Sequence, residues 1–248
     1  MRAMILAAGE GRRLRPLTER VPKALVEVGG RPLVDYAIET VARSGIDDVI
    51  VNLHHLGDRI RDHLGDGSRF GVRVRYSEEL RLLGSGGGIV HARAFLGDEA
   101  FVTLNADTII EIDLRQVMAA HRANGATATL VLRKDPRMQE YGVIALEPSG
   151  RVGAFLDHRR PGASADLEPY MYTGVQVLEP SVFDFMPAEG AFSITSVTYP
   201  AMLDAGAAVF GYPFDGRWLT VGTPEELARA TDELIRRPLD SPEPRRLS

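Results

Sequence analysis

Over the first 105 residues, short apolar runs alternate with amphipathic segments in a repeated order, and this alternation restricts the fold more than any other feature. Residues 3–8 form a continuous apolar run ending at Gly9, which reads as a buried strand. Residues 32–43 predict a helix, with Pro32 in the first turn, Leu33, Tyr36, Ala37 and Val41 at helical spacing, and Gly45 as the stop. The strand signal returns at 47–53, followed by a helix at 55–64, a strand at 72–76, a helix at 87–95 and a strand at 100–105. Strands and helices alternating at this spacing predict right-handed βαβ units in an α/β fold with a Rossmann-like, mainly parallel central sheet.

The second half has a different pattern. Residues 126–133, 142–146, 152–155 and 170–178 are strand-like and are separated by the turn-rich stretches "DPRMQEYG", "EPSG" and "RRPGASADLEP". An antiparallel portion beside the parallel core is expected. Helical signal returns at 181–186, 196–204 and 224–236, the last with Thr223 as N-cap, Pro224 in the first turn and Glu225 and Glu226 at the positive end of the dipole. A single domain over 1–237 is expected, since about 200–250 residues suffice for one large α/β domain. Residues 238–248, "PLDSPEPRRLS", read as a flexible tail.

Composition narrows the function. A net charge of −5 argues against a surface built for nucleic acid, and no apolar run approaches the roughly 18 residues of a membrane span. Without cysteine there is no disulfide framework, thiolate metal site or cysteine nucleophile. Met1 leads straight into a strand, so a cytoplasmic location is expected, with no membrane partner. Against this acidic average, the segment from Glu10 to Lys23 carries Arg12, Arg13, Arg15, Arg20 and Lys23 against Glu10 and Glu19 alone. A compact anion suits such a segment. Lys23 is one of only two lysines among 29 basic residues, which fits a need for a point-charge ammonium there.

A strand running into "AAGEG" sets backbone N–H groups of a glycine-rich turn at the carboxyl edge of the sheet, where open α/β sheets bind ligands and where Gly9 and Gly11 let phosphate approach. The same turn could hold no ligand. A dinucleotide fingerprint fits poorly, because Leu14 stands where the third glycine belongs. Asp107, beyond the strand at 100–105, is suited either to a metal or to capping a turn. Arg12, Arg15 and Arg20 read as solvated or ion-paired surface groups, and Trp218 as core. No histidine pair has metal-ligand spacing.

The run L-A-A-G-x-G-x-R-L-x-P-L-T followed by P-K-x-L, formed by Leu6, Ala7, Ala8, Gly9, Gly11, Arg13, Pro16, Leu17, Thr18, Pro22, Lys23 and Leu25, resembles the signature of the sugar-1-phosphate nucleotidyltransferases. The similarity extends to about Arg229. "LLGSGGGI" at 82–89 is similar to the family's second glycine-rich segment, "NAD" at 105–107 to its metal-binding strand end, "YTGV" at 172–175 to a sugar-side motif, and "FDGRWLTVGTPEEL" at 214–227 to its closing motif. Within the family, "HLGDGSRFG" and "SGGGI" are especially similar to the N-acetylmuramate 1-phosphate uridylyltransferase branch, and the chain stops where short members stop.

The resemblance implies the nucleotide-diphospho-sugar transferase fold, with a nucleotide-binding half at 1–110 and a sugar-binding half at 111–237. It implies attack by a sugar 1-phosphate on the α-phosphorus of a nucleoside triphosphate, UTP being favoured, with Mg²⁺ as cofactor. Arg13, Lys23 and Asp107 would be catalytic. Leu6, Ala7, Ala8, Gly9, Gly11, Gly84, Ser85, Gly86 and Asn105 would bind nucleotide, and Gly142, Asp157, Tyr172 and Thr173 the sugar. A monomer or small homo-oligomer is expected. Two departures stand out. Thr220 occupies the position of the family's second metal-binding aspartate, and the sugar-side E-K-P appears only as "FLDHRRP", with Asp157 and His158 or Arg159 as stand-ins. Loss of that aspartate leaves open a regulatory member with weak or no turnover, or a one-carboxylate metal site helped by Asp215 or by substrate phosphates.

Overall fold

The computed structural model describes residues 1–239. The tail expected at 238–248 falls, beyond Leu239, outside the described residues. The chain forms two compact units, one of Met1–Leu82, Leu104–Asp113 and the segment from Gly216, the other of Leu83–Thr103 and Leu114–Asp215. This interleaving differs from halves cut at residue 110. Leu83–Thr103 groups with the second unit, and the chain returns to the first at Gly216.

In the first unit the strands Arg2–Leu6, Asp48–Leu53 and Arg73–Glu78 are parallel, with Met4 opposite Ile50 and Val49 opposite Val74. Asp48–Leu53 lies in the middle, and Ala3, Met4, Ile5, Val49 and Val51 are fully buried. Burial on both faces explains why these strands read as continuous apolar runs. The helix Leu33–Arg43 starts after Pro32 and buries Leu33, Val34, Ala37, Ile38 and Val41 on one face; Gly45, with φ +77°, lets the chain turn out of it. The helix Gly57–Leu64 buries Ile60 and Leu64 in the same way.

A short antiparallel pair, Thr108–Ile110 with Trp218–Thr220, and the helix Pro224–Arg236 complete this unit. The Thr223 side chain accepts the Glu226 N–H at the start of that helix, as the sequence predicts. Leu14, Val26, Val28, Leu33, Tyr36, Ile109, Val221, Ala230 and Leu234 form one apolar cluster. Each Leu, Val or Ile among them contributes about 1.5–3 kcal/mol when fully buried, so the loop carrying Arg13 is anchored at Leu14.

The second unit is mostly antiparallel. Glu168–Leu178 pairs with Val143–Leu146 through its first half and with Ala128–Arg133 through its second, and Val152–Phe155 extends the sheet from Val143–Leu146. Val209–Pro213, which the sequence pattern does not announce, runs parallel to Ala128–Arg133. The helix Leu114–Ala123, also unannounced, buries Leu114, Val117, Met118 and His121 at helical spacing. The expected helix at 87–95 begins earlier, at Gly84, breaks at Ala92 and resumes as Arg93–Leu96. The one at 181–186 is a 3₁₀ segment, Pro180–Phe185, and that at 196–204 is a π-turn, Ile194–Thr198, leading into Tyr199–Asp204. Among the described residues no helix is long and apolar enough to cross a membrane.

Candidate active site

The glycine-rich turn leaves the strand Arg2–Leu6 at the carboxyl edge of the first unit's parallel sheet. Ala7 and Ala8 are buried and Gly9 is exposed. Gly11 has φ +63°, and a Cβ there would lie 2.8 Å from the Thr18 methyl and 3.1 Å from Lys23 Cβ, so both conformation and crowding require glycine. Thr18, 1% exposed, donates its hydroxyl to the Gly11 carbonyl at 2.8 Å and closes the turn. The His55 ring Nε2–H donates to the Thr18 carbonyl, also at 2.8 Å.

Buried Leu14 forces its neighbours outward, and Arg13 is exposed. Its guanidinium lies against the backbone of Gly222, where an added Cβ would come within 2.6 Å of Nη2. Gly222 in turn donates its N–H to Glu226 Oε2 at 2.7 Å. Arg12 pairs with Glu10 at 2.5 Å, and this hydrogen bond holds the Glu10 carboxyl below the usual range. Arg12 is therefore the ion-paired surface group that its pattern suggests.

Lys23 follows buried Pro22, and its ammonium is ion-paired with Asp107 Oδ2. Asp107 lies two residues beyond the strand Phe101–Asn105, and the Ala106 N–H donates to the Leu6 carbonyl at 3.0 Å, tying this strand end to the start of the glycine turn. On its other side the Asp107 carbonyl accepts the Val221 N–H at 3.1 Å, and Thr220 stands opposite Thr108 in the adjoining ladder. Arg13, Lys23, Asp107 and the 220–222 segment thus gather within one unit. Trp218 is buried opposite Ile110, the core role that the sequence suggests.

Other expected nucleotide contacts have internal partners. The Ala7 N–H donates to Asn52 Oδ1 at 2.7 Å. In the second unit the Gly86 and Gly87 N–H groups donate to the Phe192 carbonyl at 3.0 and 3.3 Å, and a Cβ on Gly86 would lie 2.2 Å from the Phe192 ring. Ser85 Oγ accepts the Ile194 N–H at 3.1 Å, and the backbone of Phe192 also closes over Gly84. Gly84, Gly86 and Gly87 thus pack closely against 190–194, whatever else binds there.

Of the expected sugar-side residues, Gly142 is packed under the Leu156 side chain and Asp157 is exposed. His158 Nε2 lies 2.9 Å from Asp204 Oδ1. Thr173 is 1% exposed and donates its hydroxyl to the Val131 carbonyl at 2.8 Å, so this side chain serves the sheet. Burial pushes the Tyr172 phenol well up.

Two residues that the sequence reading passed over complete the sheet edge in the first unit. Asn52 donates its Nδ2–H to Glu79 Oε1 at 2.7 Å, and the His54 Nδ1–H donates to the Glu79 carbonyl at 2.8 Å. In "DDVIVNL" the one amide, Asn52, interrupts a run of buried aliphatics, Val49–Val51 and Leu53, without any periodic signal. Among the described residues, no three His, Cys, Asp or Glu side chains form a group that could hold a metal. Asp107 supplies one partly exposed carboxylate, and Thr220 a hydroxyl on the neighbouring strand. This hard oxygen set fits a cation that keeps its waters and takes one or two carboxylates together with phosphate oxygens.

Residues 2–237 match the Nucleotidyl transferase family profile. The chain is 32% identical to UTP–glucose-1-phosphate uridylyltransferase of Synechocystis over 90% of its own length and 60% of the relative's. It is 32% identical to mannose-1-phosphate guanylyltransferase of Mycobacterium tuberculosis, covering 66% of that protein, and so spans about two thirds or less of these two relatives. With N-acetylmuramate alpha-1-phosphate uridylyltransferase of Neisseria meningitidis it shares 34% identity over 90% of its own length and 94% of the relative's. A crystal structure from Bacillus anthracis, named as a candidate glucose-1-phosphate thymidylyltransferase, has the same fold, with a TM-score of 0.81 at 23% identity over 98% of both chains. On the extent of the profile match and these identities, the chain belongs to the nucleotidyl transferase family.

Proposed function

We propose that this protein joins a nucleoside triphosphate, with UTP favoured, to a sugar 1-phosphate, giving a nucleoside-diphosphate sugar and pyrophosphate. An oxygen of the sugar phosphate forms a bond to the α-phosphorus, the bond from that phosphorus to the bridging oxygen breaks, and pyrophosphate leaves with the electron pair. The nucleophile is already an anion near neutral pH, so no general base is needed and catalysis comes from alignment and charge stabilisation.

The observation that carries this reading is the meeting of Arg13, Lys23 and Asp107 beside the glycine turn. Arg13, a forked donor, suits the departing pyrophosphate. Lys23 brings its ammonium to the reacting phosphoryl group as charge develops, and Asp107 orients that ammonium through their ion pair. Leu6, Ala8, Gly9, Gly11 and Asn105 are the candidate nucleotide contacts of the first unit; within the second unit, Gly84, Ser85 and Gly86 are candidates for nucleotide and Gly142, Asp157 and Tyr172 for sugar. Bound Mg²⁺ would neutralise charge on the phosphate oxygens, held by Asp107 with Thr220 as a neutral neighbour. The protein would act in the cytoplasm as a monomer or small homo-oligomer.

The test is pyrophosphate release with Mg²⁺ across four nucleoside triphosphates and a panel of sugar 1-phosphates. Turnover with one pair is expected. Tight nucleotide binding with no turnover for any pair would favour the second reading, a regulatory nucleotide-binding member, for which Thr220 in place of a carboxylate is the specific observation.

A further inference from the structure

At the carboxyl ends of three neighbouring parallel strands, a single side-chain amide joins a backbone N–H to a carboxylate. Asn52 is the register partner of Leu6 on one side and of Ser77 on the other. Its Oδ1 accepts the Ala7 N–H and its Nδ2 donates to Glu79 Oε1, each at 2.7 Å. Asn52 is 2% exposed and Glu79 is 5% exposed. A backbone N–H can only donate and the Glu79 oxygen accepts, so the neighbours dictate which way the amide faces. Asparagine satisfies both demands from one planar group. Aspartate would set a second acceptor against Glu79, and an aliphatic residue would leave a buried N–H without a partner.

Ala7 is the first residue after the strand Arg2–Leu6 and opens the glycine turn. With its N–H engaged, the peptide plane between Leu6 and Ala7 is held where the chain enters the turn. We infer that Asn52 is a positioning residue for nucleotide binding, holding Ala7 so that the turn from Ala8 onward presents its N–H groups to the phosphates of a nucleoside triphosphate. This rests on the proposed nucleotidyltransferase reading. Glu79 is the partner that keeps the amide from rotating, and the His54 ring secures the Glu79 carbonyl.

The test uses the full chain with Asn52→Asp, Glu79→Gln and the two combined. Binding of UTP, GTP, ATP and dTTP with Mg²⁺ is followed by calorimetry, well below each variant's Tm, alongside the KM of each substrate from pyrophosphate release. Asn52→Asp is expected to weaken nucleotide binding about tenfold or more, to raise the nucleotide KM and to leave the sugar 1-phosphate KM within about twofold. The combined variant exchanges donor and acceptor across the same contact and should bring the nucleotide Kd back to within about threefold of the parent. Unchanged nucleotide affinity in folded Asn52→Asp, an equal rise in both KM values, or a stable combined variant without recovery would overturn the inference. If the parent binds nucleotide without turnover, the enzymatic reading fails while the Kd series still decides the role of Asn52. If the parent binds none of the four nucleotides, both fail.

Discussion

Lys23 and Asp107, 84 residues apart in the chain, meet as an ion pair whose side chains are 15% and 28% exposed. A partly solvated pair of this kind contributes about 1 kcal/mol or less to stability, whereas an ammonium aimed at developing phosphoryl charge can account for about 2.7–4 kcal/mol of a barrier. Lys23→Ala should therefore lower kcat by about 10²–10³ while moving Tm by only a few degrees. Parallel kinetics and thermal melts check this. A variant that is unfolded would make the turn structural and remove the phosphate argument.

Thr220 sits in a two-strand ladder opposite Thr108, one residue before the Val221 N–H that Asp107 holds. Thr220→Asp should supply a second carboxylate and lower the Mg²⁺ concentration for half-maximal activity by about tenfold. A magnesium titration of the two proteins reads this directly. Superimposable curves would mean that residue 220 is not at the metal.

A Cβ on Gly86 would lie 2.2 Å from the Phe192 ring, so either the ring or the backbone must move to admit one. Gly86→Ala should destabilise the protein by about 1–3 kcal/mol through overpacking, and Phe192→Ala in the same chain should recover part of the loss. Urea midpoints for the single and double variants decide it. Full stability of Gly86→Ala would show that Phe192 can swing away.

His121, 1% exposed, lies between Thr129 Oγ1 and Glu179 Oε1. Desolvation holds its pKa below 6.5, outweighing the opposing pull of Glu179. The unfolded chain binds the proton more readily, so this residue's contribution to stability is complete above about pH 6.5 and is lost as pH falls through the folded-state value. Urea midpoints at pH 7.5 and pH 5 should fall more steeply for the parent than for His121→Gln. Equal slopes would contradict the desolvation argument.

The parallel sheet was legible because strands buried on both faces have little choice but to be aliphatic, as in Ala3–Ile5 and Val49–Val51. The charged cluster of the first unit was legible for a related reason. Arg13, Lys23 and Asp107 sit at strand ends and tight turns, where glycine, proline and charge stand out from their surroundings. What the pattern hid was order between distant segments. The strand Val209–Pro213 contains Gly211 and Pro213 and carries little strand signal of its own; its place comes from pairing with Ala128–Arg133. Gly84 and Gly86 look like ligand-contact glycines in sequence, yet it is Phe192, more than a hundred residues later, that leaves them no room. Asn52, a lone amide next to the end of its strand, gives no periodic signal; its meaning depends on Ala7 and Glu79.

The first unit takes its final strand and helix from the segment after Gly216, long after its sheet has been synthesised. Asp107 waits more than a hundred residues for the N–H of Val221, so the consequence is one of timing. On the ribosome the glycine turn and the parallel strands can be in place while the wall that carries Thr220 and Gly222 does not yet exist. Contacts of such long sequence separation form late. A nascent chain stopped before Gly216 would possess Arg13, Lys23 and Asp107 but not the backbone on which Arg13 rests, so this cluster is complete only once about the last eighth of the chain has been made.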